Sequence, residues 1–303
     1  MVVLELLYPI IFSKNKSMST FKVTFAGGAQ MPTGSNFLVE FGGVKILIDC
    51  GLVQGEKYSV PINAEAFTYD PSSVGTLFIT HAHLDHVGRI PKLVKDGFKG
   101  KIVSTEPTRE MAELIMLDSL RILTKEAIRE NTTPLYEEKH VLEAMRLWET
   151  TVSYEQAHTI HTNDGDATVT LHDAGHILGS SIVEIRYKGK SLAFTGDLGN
   201  TPSPLMRDTT PLKDIDYLVM ESVYGDRNHK DKDRRIEIFK EAVVTTIGKG
   251  GTVLIPAFSI ERTQEVLLAL RAPDPLAQHR PHRRLAVAAA REGRAARAFE
   301  GDV

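Results

Sequence analysis

The feature that most constrains this chain is a group of three histidines and one aspartate within six residues. An apolar segment at residues 76–80, typical of a short buried strand, leads directly into His81, His83, Asp85 and His86. Imidazole and carboxylate groups are ligands that zinc prefers in proteins. Alternate residues of an extended turn point to one side, so His81 and His83 can share one ion. The pattern predicts a metal site, and the preceding apolar strand argues against the alternative, a group of solvated surface histidines.

The rest of the chain alternates between short apolar segments and longer amphipathic ones. Strands are predicted at residues 21–26, 37–41, 44–49, 76–80, 101–104, 167–171, 182–187, 191–194, 217–220 and 252–255. Helices are predicted at residues 87–96, 107–129, 136–149, 236–247 and 261–270. Gly42 and Gly43 indicate a tight hairpin between two of the strands. This mixture of strands and helices predicts a layered α/β domain.

Composition limits the class of protein. Of the 303 residues, 42% are hydrophobic and 25% are charged, as in ordinary globular proteins. The formal net charge of −3 does not indicate polyanion binding by the whole molecule, although a local basic patch could still bind nucleic acid. Cys50 is the single cysteine, which excludes an internal disulfide and a cysteine-based zinc ribbon and favours the reducing cytoplasm.

The two ends of the chain differ from its middle. Residues 1–12 are apolar, but they are too few to span a bilayer and Glu5 interrupts them, so neither a membrane helix nor a signal peptide is expected. Met18 precedes a clear strand pattern, and residues 1–17 are interpreted as a start-site extension. Residues 271–303 are rich in arginine and alanine and lack lysine, which predicts an aberrant or disordered tail. A basic RNA-binding tail is the alternative.

The His-x-His-x-Asp-His pattern at residues 81–86 resembles the signature of the metallo-β-lactamase superfamily, whose fold is a four-layer αββα sandwich. Three further positions of that family are matched in chain order by Asp49, His176 and Asp197. They stand in Asp-Cys-Gly, Ala-Gly-His and Thr-Gly-Asp, respectively. Taken alone, His176 and Asp197 are typical turn residues. Their order and their neighbouring glycines favour the family interpretation.

The resemblance implies two zinc ions held by six side chains, those of His81, His83, Asp85, His86, His176 and Asp197. The histidines at positions 81, 83 and 176 would hold the first ion, Asp85 and His86 the second, and Asp197 would join both. Asp85 is expected to belong to the catalytic group as well, and Asp49 would support the ligands from behind. Histidine at position 83, where iron-containing relatives have glutamate, favours zinc and hydrolysis. Two such ions activate a water and clamp phosphoryl oxygens.

Two later segments resemble the β-CASP branch, whose members are RNA- and DNA-processing nucleases. The first is Glu-Ser-Val-Tyr-Gly at residues 221–225, and the second is residues 251–265, a strand that enters a helix. The resemblance implies that Glu221 is an acid near the reacting phosphate that assists proton transfer. A solvated carboxylate at the end of a strand is the alternative for Glu221.

The same resemblance divides the chain into residues 18–208, a metallo-β-lactamase domain, and residues 209–270, the beginning of an inserted β-CASP domain. The later histidine motifs of the branch, one of which completes the second zinc site, are not matched. His279 and His282 lie in the tail with no strand pattern before them. We therefore expect an incomplete copy that is less stable than its relatives and weakly active or inactive.

The expected function is zinc-dependent cleavage of phosphodiester bonds in RNA, with DNA left open as a substrate. A thioesterase or lactonase of the same fold is the second interpretation, and residues 221–225 argue against it. A non-catalytic subunit of an RNA-processing complex is the third, and the retained metal ligands argue against it. The sequence does not indicate an oligomeric state. Ordinary solvated side chains are predicted for the other histidines of the chain before the tail, which are His140, His158, His161, His172 and His229.

Overall fold

The computed structural model describes residues 20–55, 59–148, 150–200, 202–227, 234–258, 260–271, 284–291 and 294–302. The chain forms two compact units. The first unit ends at Leu198 and resumes over Thr209–Glu221, and the second contains Gly199–Asp208 and the chain from Ser222. All the candidate metal ligands lie in the first unit. His229, His279 and His282 lie outside the described residues.

A six-stranded sheet forms one half of the first unit. Its strands lie in chain order: β1 (Lys22–Gly27), β2 (Asn36–Phe41), β3 (Val44–Ile48), β4 (Thr76–Phe78), β5 (Lys101–Ser104) and β6 (Thr150–Thr151). The pairs among β1, β2 and β3 are antiparallel, and those from β3 to β6 are parallel. Gly42 and Gly43 join β2 to β3 with φ angles of 52° and 79°, which residues with a Cβ rarely adopt. The predicted hairpin is confirmed.

Helices occupy the connections between the strands of this sheet. They are α1 (Ser59–Ala64), α2 (Leu84–Val87), α3 (Ile90–Lys95), α4 (Glu106–Glu130) and α5 (Glu138–Leu147). The longest, α4, begins where the Thr105 side chain accepts a hydrogen bond from the Thr108 N–H, with a proline in its first turn. It ends at Asn131, whose φ of 53° stops further helical hydrogen bonding. The predicted helix at residues 107–129 is confirmed.

A five-stranded sheet forms the other half of the first unit. In spatial order its strands are β11 (Tyr217–Val219), β10 (Lys190–Phe194), β9 (Ser181–Tyr187), β8 (Gly165–Asp173) and β7 (Ala157–Thr162). Alternate apolar residues of the two sheets meet in one buried cluster, to which Phe78 contributes from the first sheet and Val169 and Val183 from the second. The α/β class and the two-sheet sandwich are confirmed.

Two strands of the second sheet differ from expectation. The sequence predicts no strand around His158 and His161, but these residues lie in β7, which pairs with β8 along six residues. Because β7 is an edge strand whose one buried residue is Ile160, its apolar periodicity is weak. β11 lies after the expected domain boundary at residue 208, yet it pairs in parallel with β10 of the first unit. The domain boundaries stay predictions.

The expectation that His172 is solvated is wrong. Its side chain is 11% exposed, with Nδ1 2.9 Å from an oxygen of Glu155 and Nε2 2.7 Å from an oxygen of Glu184. His172 is buried because Glu184, on the neighbouring strand β9, faces the same side of the sheet and pairs with it. The sequence of β8 alone does not show this neighbour. The side chain of His161, by contrast, is 84% exposed, as predicted.

The second unit contains two helices and a small sheet within its described residues. The helices are α6 (Arg235–Gly248) and α7 (Arg262–Arg271), and the strands are β12 (Leu254–Phe258), β13 (Arg284–Arg291) and β14 (Arg294–Asp302). β13 pairs in parallel with β12 and antiparallel with β14. Both of these strands lie in the arginine- and alanine-rich segment at residues 271–303. The interpretation of that segment as an aberrant or disordered tail stays a prediction. No helix of the described chain is long and apolar enough to cross a membrane.

Candidate metal centre

Asp49 holds the loop that carries the first histidines. It follows β3, is fully buried and adopts a φ of 57°. Its carboxylate accepts hydrogen bonds from the backbone N–H of Thr80 at 2.8 Å, the Thr80 hydroxyl at 2.9 Å and His86 Nδ1 at 2.7 Å. Ser35 Oγ donates a fourth bond at 3.2 Å. Asp49 therefore fixes the loop at both of its ends, on either side of His81 and His83.

Close backbone packing holds the same loop in place. A Cβ added at Gly51 would lie 1.5 Å from the carbonyl oxygen of Asp85, so only glycine fits there. The N–H of Cys50 donates to the carbonyl oxygen of His86 at 2.8 Å. The segment that follows β3 thus runs directly against the ligand loop and limits its movement.

Two later turns bring His176 and Asp197 to this loop. His176 lies between β8 and β9, and its backbone N–H donates to Ser180 Oγ at 3.0 Å. Asp197 lies just after β10 and follows Gly196, whose φ is 53°. A Cβ at Gly196 would lie 2.7 Å from the Thr80 Cβ, so the turn after β10 packs against the end of β4. Residues that are about a hundred positions apart in the sequence are therefore neighbours.

Four side chains, which we name the first donor set, converge on one point: His81, His83, His176 and Asp197. One ligand atom of each lies within 4.8 Å of the other three. His83 Nδ1 is 3.0 Å from His81 Nε2 and 3.2 Å from His176 Nε2. Asp197 Oδ2 is 3.7 Å from His81 Nε2 and 3.6 Å from His176 Nε2. A tetrahedral ion bound at about 2.0–2.2 Å separates its ligand atoms by about 3.3–3.6 Å, so these residues fit a metal.

A second donor set consists of Asp85, His86 and the other oxygen of Asp197. His86 Nε2 lies 3.4 Å from Asp197 Oδ1 and 3.8 Å from Asp85 Oδ2. Because the hydrogen bond to Asp49 engages Nδ1, Nε2 is the ring nitrogen left for a metal. The two oxygens of Asp197 thus face two different groups of candidate ligands.

The centre is buried on one side and open on the other. His81 is fully buried, whereas the side chains of His176 and Asp197 are 24% and 33% exposed. A substrate can therefore approach from the side of His176 and Asp197, while the deep side holds the ligands in position.

Burial and neighbouring charges set the protonation of these ligands. Burial, together with the adjacent histidines, lowers the pKa of His81 well below its usual range and that of His83 to about 3. Burial also acts to lower the pKa of His86, but the facing carboxylates of Asp49, Asp197 and Asp85 raise it well above its usual range. His81 and His83 are therefore neutral, which is the state that binds metal ions.

Glu221 lies beside the second donor set. Its Oε1 accepts a hydrogen bond from the Leu198 N–H at 2.8 Å, next to Asp197. Its own backbone N–H donates to Thr195 Oγ1 at 3.2 Å. Burial raises the pKa of Glu221, and the charge of Asp197 raises it further, whereas the Leu198 N–H opposes the shift. The carboxyl group is thus held at the centre and is not a free strand-end side chain.

Eight residues were singled out from the sequence, and six of them form the two donor sets. The other two are Asp49, which accepts a hydrogen bond from His86, and Glu221, which accepts one from the Leu198 N–H next to Asp197. Sequence reasoning missed the supporting hydroxyls of Ser35, Thr80 and Ser180. Thr80 and Ser180 lie next to or within matched motifs, so their proximity along the chain was a usable signal. Ser35 gave no such signal, because the β2–β3 hairpin alone brings the start of β2 beside Asp49.

Comparison with known proteins agrees with this geometry. Residues 32–276 match the model of the Metallo-beta-lactamase superfamily. The chain is 34% identical to Ribonuclease TTHA0252 of Thermus thermophilus over 80% of its own length and 53% of the relative's. It is 33% identical to Transcription termination factor FttA of Methanothermobacter thermautotrophicus, over 82% of the chain and 39% of the relative. It is 29% identical to Endoribonuclease YSH1 of Gibberella zeae, over 80% and 29%.

The chain thus spans about half the length of the ribonuclease and less than half of the other two. The names of these relatives confirm the resemblance to the β-CASP, RNA-processing branch. The His and Asp ligands of the first donor set and the matched residues lead to the same conclusion: the chain belongs to the metallo-beta-lactamase superfamily and uses a bound metal.

Proposed function

We propose that this chain carries the metal centre of a zinc-dependent hydrolase that cleaves phosphodiester bonds in RNA. The observation that carries the proposal is the placement of Asp197, whose Oδ2 faces His81 and His176 while its Oδ1 faces His86. One carboxylate between two donor sets supports a dinuclear centre. Relatives named as ribonucleases support RNA as the substrate over a small thioester or lactone.

The donor chemistry supports zinc at both positions. Imidazole nitrogens and carboxylate oxygens without a thiolate suit zinc, and tetrahedral spacing suits it in the first donor set. When bound, two zinc ions supply Lewis-acid stabilisation of the phosphate and lower the pKa of a water. The cytoplasm stays the proposed compartment, because Cys50 is a buried free thiol.

The chain's own residues orient this chemistry and move a proton. The Asp49 carboxylate accepts a hydrogen bond from His86 Nδ1 and so orients Nε2 toward Asp85 and Asp197. Glu221 is fixed by the Leu198 N–H, and its raised pKa increases the fraction that carries a proton. We infer that this carboxyl group donates a proton to the leaving oxygen. Asp85 completes the second donor set beside it.

Cleavage of a labelled RNA tests the proposal. The chain is purified, loaded with zinc and incubated with an end-labelled RNA and with a DNA of the same sequence. We expect slow, zinc-dependent cleavage of the RNA above the metal-free background, and about two zinc ions per chain by metal analysis. RNA cleavage that is the same with zinc and with a chelator contradicts the proposal, and cleavage of the DNA alone contradicts the substrate.

Two variants separate catalysis from metal binding. Glu221→Gln keeps the size of the side chain but cannot act as an acid, so cleavage should fall about 10²–10⁴-fold while zinc content stays unchanged. Asp166→Asn is the matched control, because this carboxylate is 60% exposed on β8, outside both donor sets. Equal activities of the two variants would remove Glu221 from the reaction.

A further inference from the structure

A second concave site lies on the first unit, apart from the metal centre. It is a cavity of about 620 Å³ between α3, the segment that joins α1 to β4, and the turn between α4 and α5. Its lining residues include Phe67, Tyr69, Lys92, Lys95 and Thr133. Neither donor set contributes a residue to it. The volume lies within the range of about 300–1,000 Å³ that small-molecule sites occupy.

One wall of the cavity is aromatic. The rings of Phe67 and Tyr69 lie 5.4 Å apart between centroids with an interplanar angle of 31°. The hydroxyl group of Tyr69 donates to Asn36 Oδ1 at 2.9 Å, and Asn36 Nδ2 donates to the Asp49 carbonyl oxygen at 2.7 Å. The hydrogen bond to Asn36 therefore holds the Tyr69 ring in place in the free protein. Lys92 Nζ and Arg89 Cζ lie 4.4 Å and 5.4 Å from the centroid of the Phe67 ring, so a planar ligand ring would stack on the aromatic surface that these two cations leave open.

The charged part of the cavity has a net positive charge. Lys92 is 5% exposed, lies 4.4 Å from the centroid of the Phe67 ring and pairs with Asp96 at 2.5 Å. Lys95 is exposed and donates to the Leu135 carbonyl oxygen at 2.9 Å, which leaves further N–H donors of its ammonium group for a ligand. Because Asp96 offsets Lys92, the charge available to an anion is that of Lys95, beside the hydroxyl of Thr133.

From this arrangement we propose that the cavity binds a nucleoside monophosphate unit. The base stacks on the wall of Phe67 and Tyr69, and the phosphate contacts Lys95. Asp96 has a second carboxylate oxygen that can accept a hydrogen bond from a ribose hydroxyl or a base amine. A stacking wall, one ammonium group with N–H donors left for a ligand and one acceptor match a nucleotide more closely than an inorganic anion, which needs no aromatic wall. The ligand class is related to the proposed function, since RNA is a source of such units.

Binding of adenosine 5′-monophosphate by calorimetry tests the inference. The full chain is titrated in excess chelator, so that the metal centre does not contribute. We expect saturable binding with a Kd below about 1 mM, and binding of inorganic phosphate at least tenfold weaker. Equal affinity for phosphate and the nucleotide, or no saturable binding of the nucleotide, overturns the proposal. Loss of zinc-dependent RNA cleavage would instead affect only the proposed function.

Two variants and a control test the residues. Lys95→Glu should weaken nucleotide binding at least tenfold, whereas Lys99→Glu, an equal charge change at an exposed position outside the cavity, should leave it within twofold. Phe67→Leu keeps an apolar side chain but removes the stacking face, so it should weaken nucleotide binding about fivefold or more and leave phosphate binding unchanged. Thermal unfolding checks that each variant is folded. Equal effects of the two lysine variants would overturn the proposal.

Competition identifies the source of the nucleotide. If an RNA hexamer displaces a fluorescent adenosine monophosphate in the presence of chelator, the cavity takes a unit of an RNA strand. If the hexamer fails to displace it while free nucleotide does, the cavity takes a free nucleotide. Both results support the shared chemistry. Displacement by an acidic aromatic peptide and not by unlabelled nucleotide would show a protein-binding groove and overturn the proposal.

Discussion

The two donor sets of the metal centre differ in composition although they share Asp197. The first has three imidazoles and one carboxylate oxygen and reaches the four ligands of a tetrahedral ion from this chain alone. The second has one imidazole and two carboxylates, of Asp85 and Asp197, which is three ligands. The first is built from the ligand loop and two later turns, whereas the second depends on the first turn of α2 and the turn after β10. We therefore expect the first donor set to bind zinc more tightly than the second.

Removal of Asp197, the ligand that the two donor sets share, should have the largest effect on zinc content and on RNA cleavage. Asp197→Ala deletes the oxygens that face both donor sets, so bound zinc should fall from about two ions to less than one per chain. RNA cleavage should fall by at least about a hundredfold. Metal analysis after dialysis and the labelled-RNA assay measure the two effects. Two ions retained per chain would show that Asp197 is not shared between the donor sets.

Substitution of one ligand in each donor set should show how tightly each set binds its ion. His83→Ala should abolish binding in the first set, and Asp85→Ala should abolish it in the second, so each variant should retain about one ion per chain. We expect the ion that remains in Asp85→Ala to be the more tightly bound of the two, as measured by competition with a zinc chelator. The comparison of the donor sets fails if the ion that remains in His83→Ala is bound as tightly or more tightly.

Loss of the hydrogen bonds that Asp49 accepts should reduce zinc affinity by a smaller amount, and mainly in the second donor set. Asp49→Asn keeps the size of the side chain but weakens the acceptor for His86 Nδ1 and Thr80. The affinity for the ion in the second donor set should fall about 10–100-fold, while the first donor set should change less. Chelator competition with the zinc-loaded variant measures both affinities. An equal loss at both positions would mean that Asp49 holds the whole loop and does not act mainly through His86.

The smallest expected effect is the alkylation of Cys50. This residue lies in the segment that packs against the ligand loop, so its labelling measures how often that segment opens. Burial raises the pKa of this thiol to about 12, although Arg89 and Lys92 act to lower it. Since the thiolate is the reactive form, the folded protein should resist alkylation at pH 8, and labelling should increase with pH up to about 12. Mass spectrometry after treatment with iodoacetamide measures the labelled fraction, and denatured protein serves as the control. Rapid labelling of the native chain at pH 8 would show that this segment opens.

Sequence reasoning succeeded where the signal is local. The residues of β2 and β3 carry enough buried apolar side chains to be recognised as strands, and Gly42-Gly43 identifies their hairpin. The motif at residues 81–86 could be identified as a ligand group because its members are consecutive and follow a buried strand. By contrast, β7 has a polar sequence, and it is a strand only because β8 pairs with it. Its apolar periodicity could not have shown this.

Some features outside the metal centre also depend on contacts between different elements. Nothing near His172 in the chain indicates that Glu184 faces it from the neighbouring strand β9. Nor does a turn containing Phe67 and Tyr69 indicate a cavity, because α3 and the turn before α5 provide the opposite walls. In both cases the partner comes from another element, so the sequence of one element alone does not show the interaction.

The sequence by itself determined the candidate metal ligands, which are six histidines and aspartates, because the kinds of group that can bind a metal are a property of the residues themselves. Only the tertiary structure decided that His176 and Asp197 reach the ligand loop and that the two oxygens of Asp197 face different donor sets. The physical reason is that these distances depend on how the two sheets pack and on where β4, β8 and β10 end. Local periodicity specifies the strands but not their ends in space.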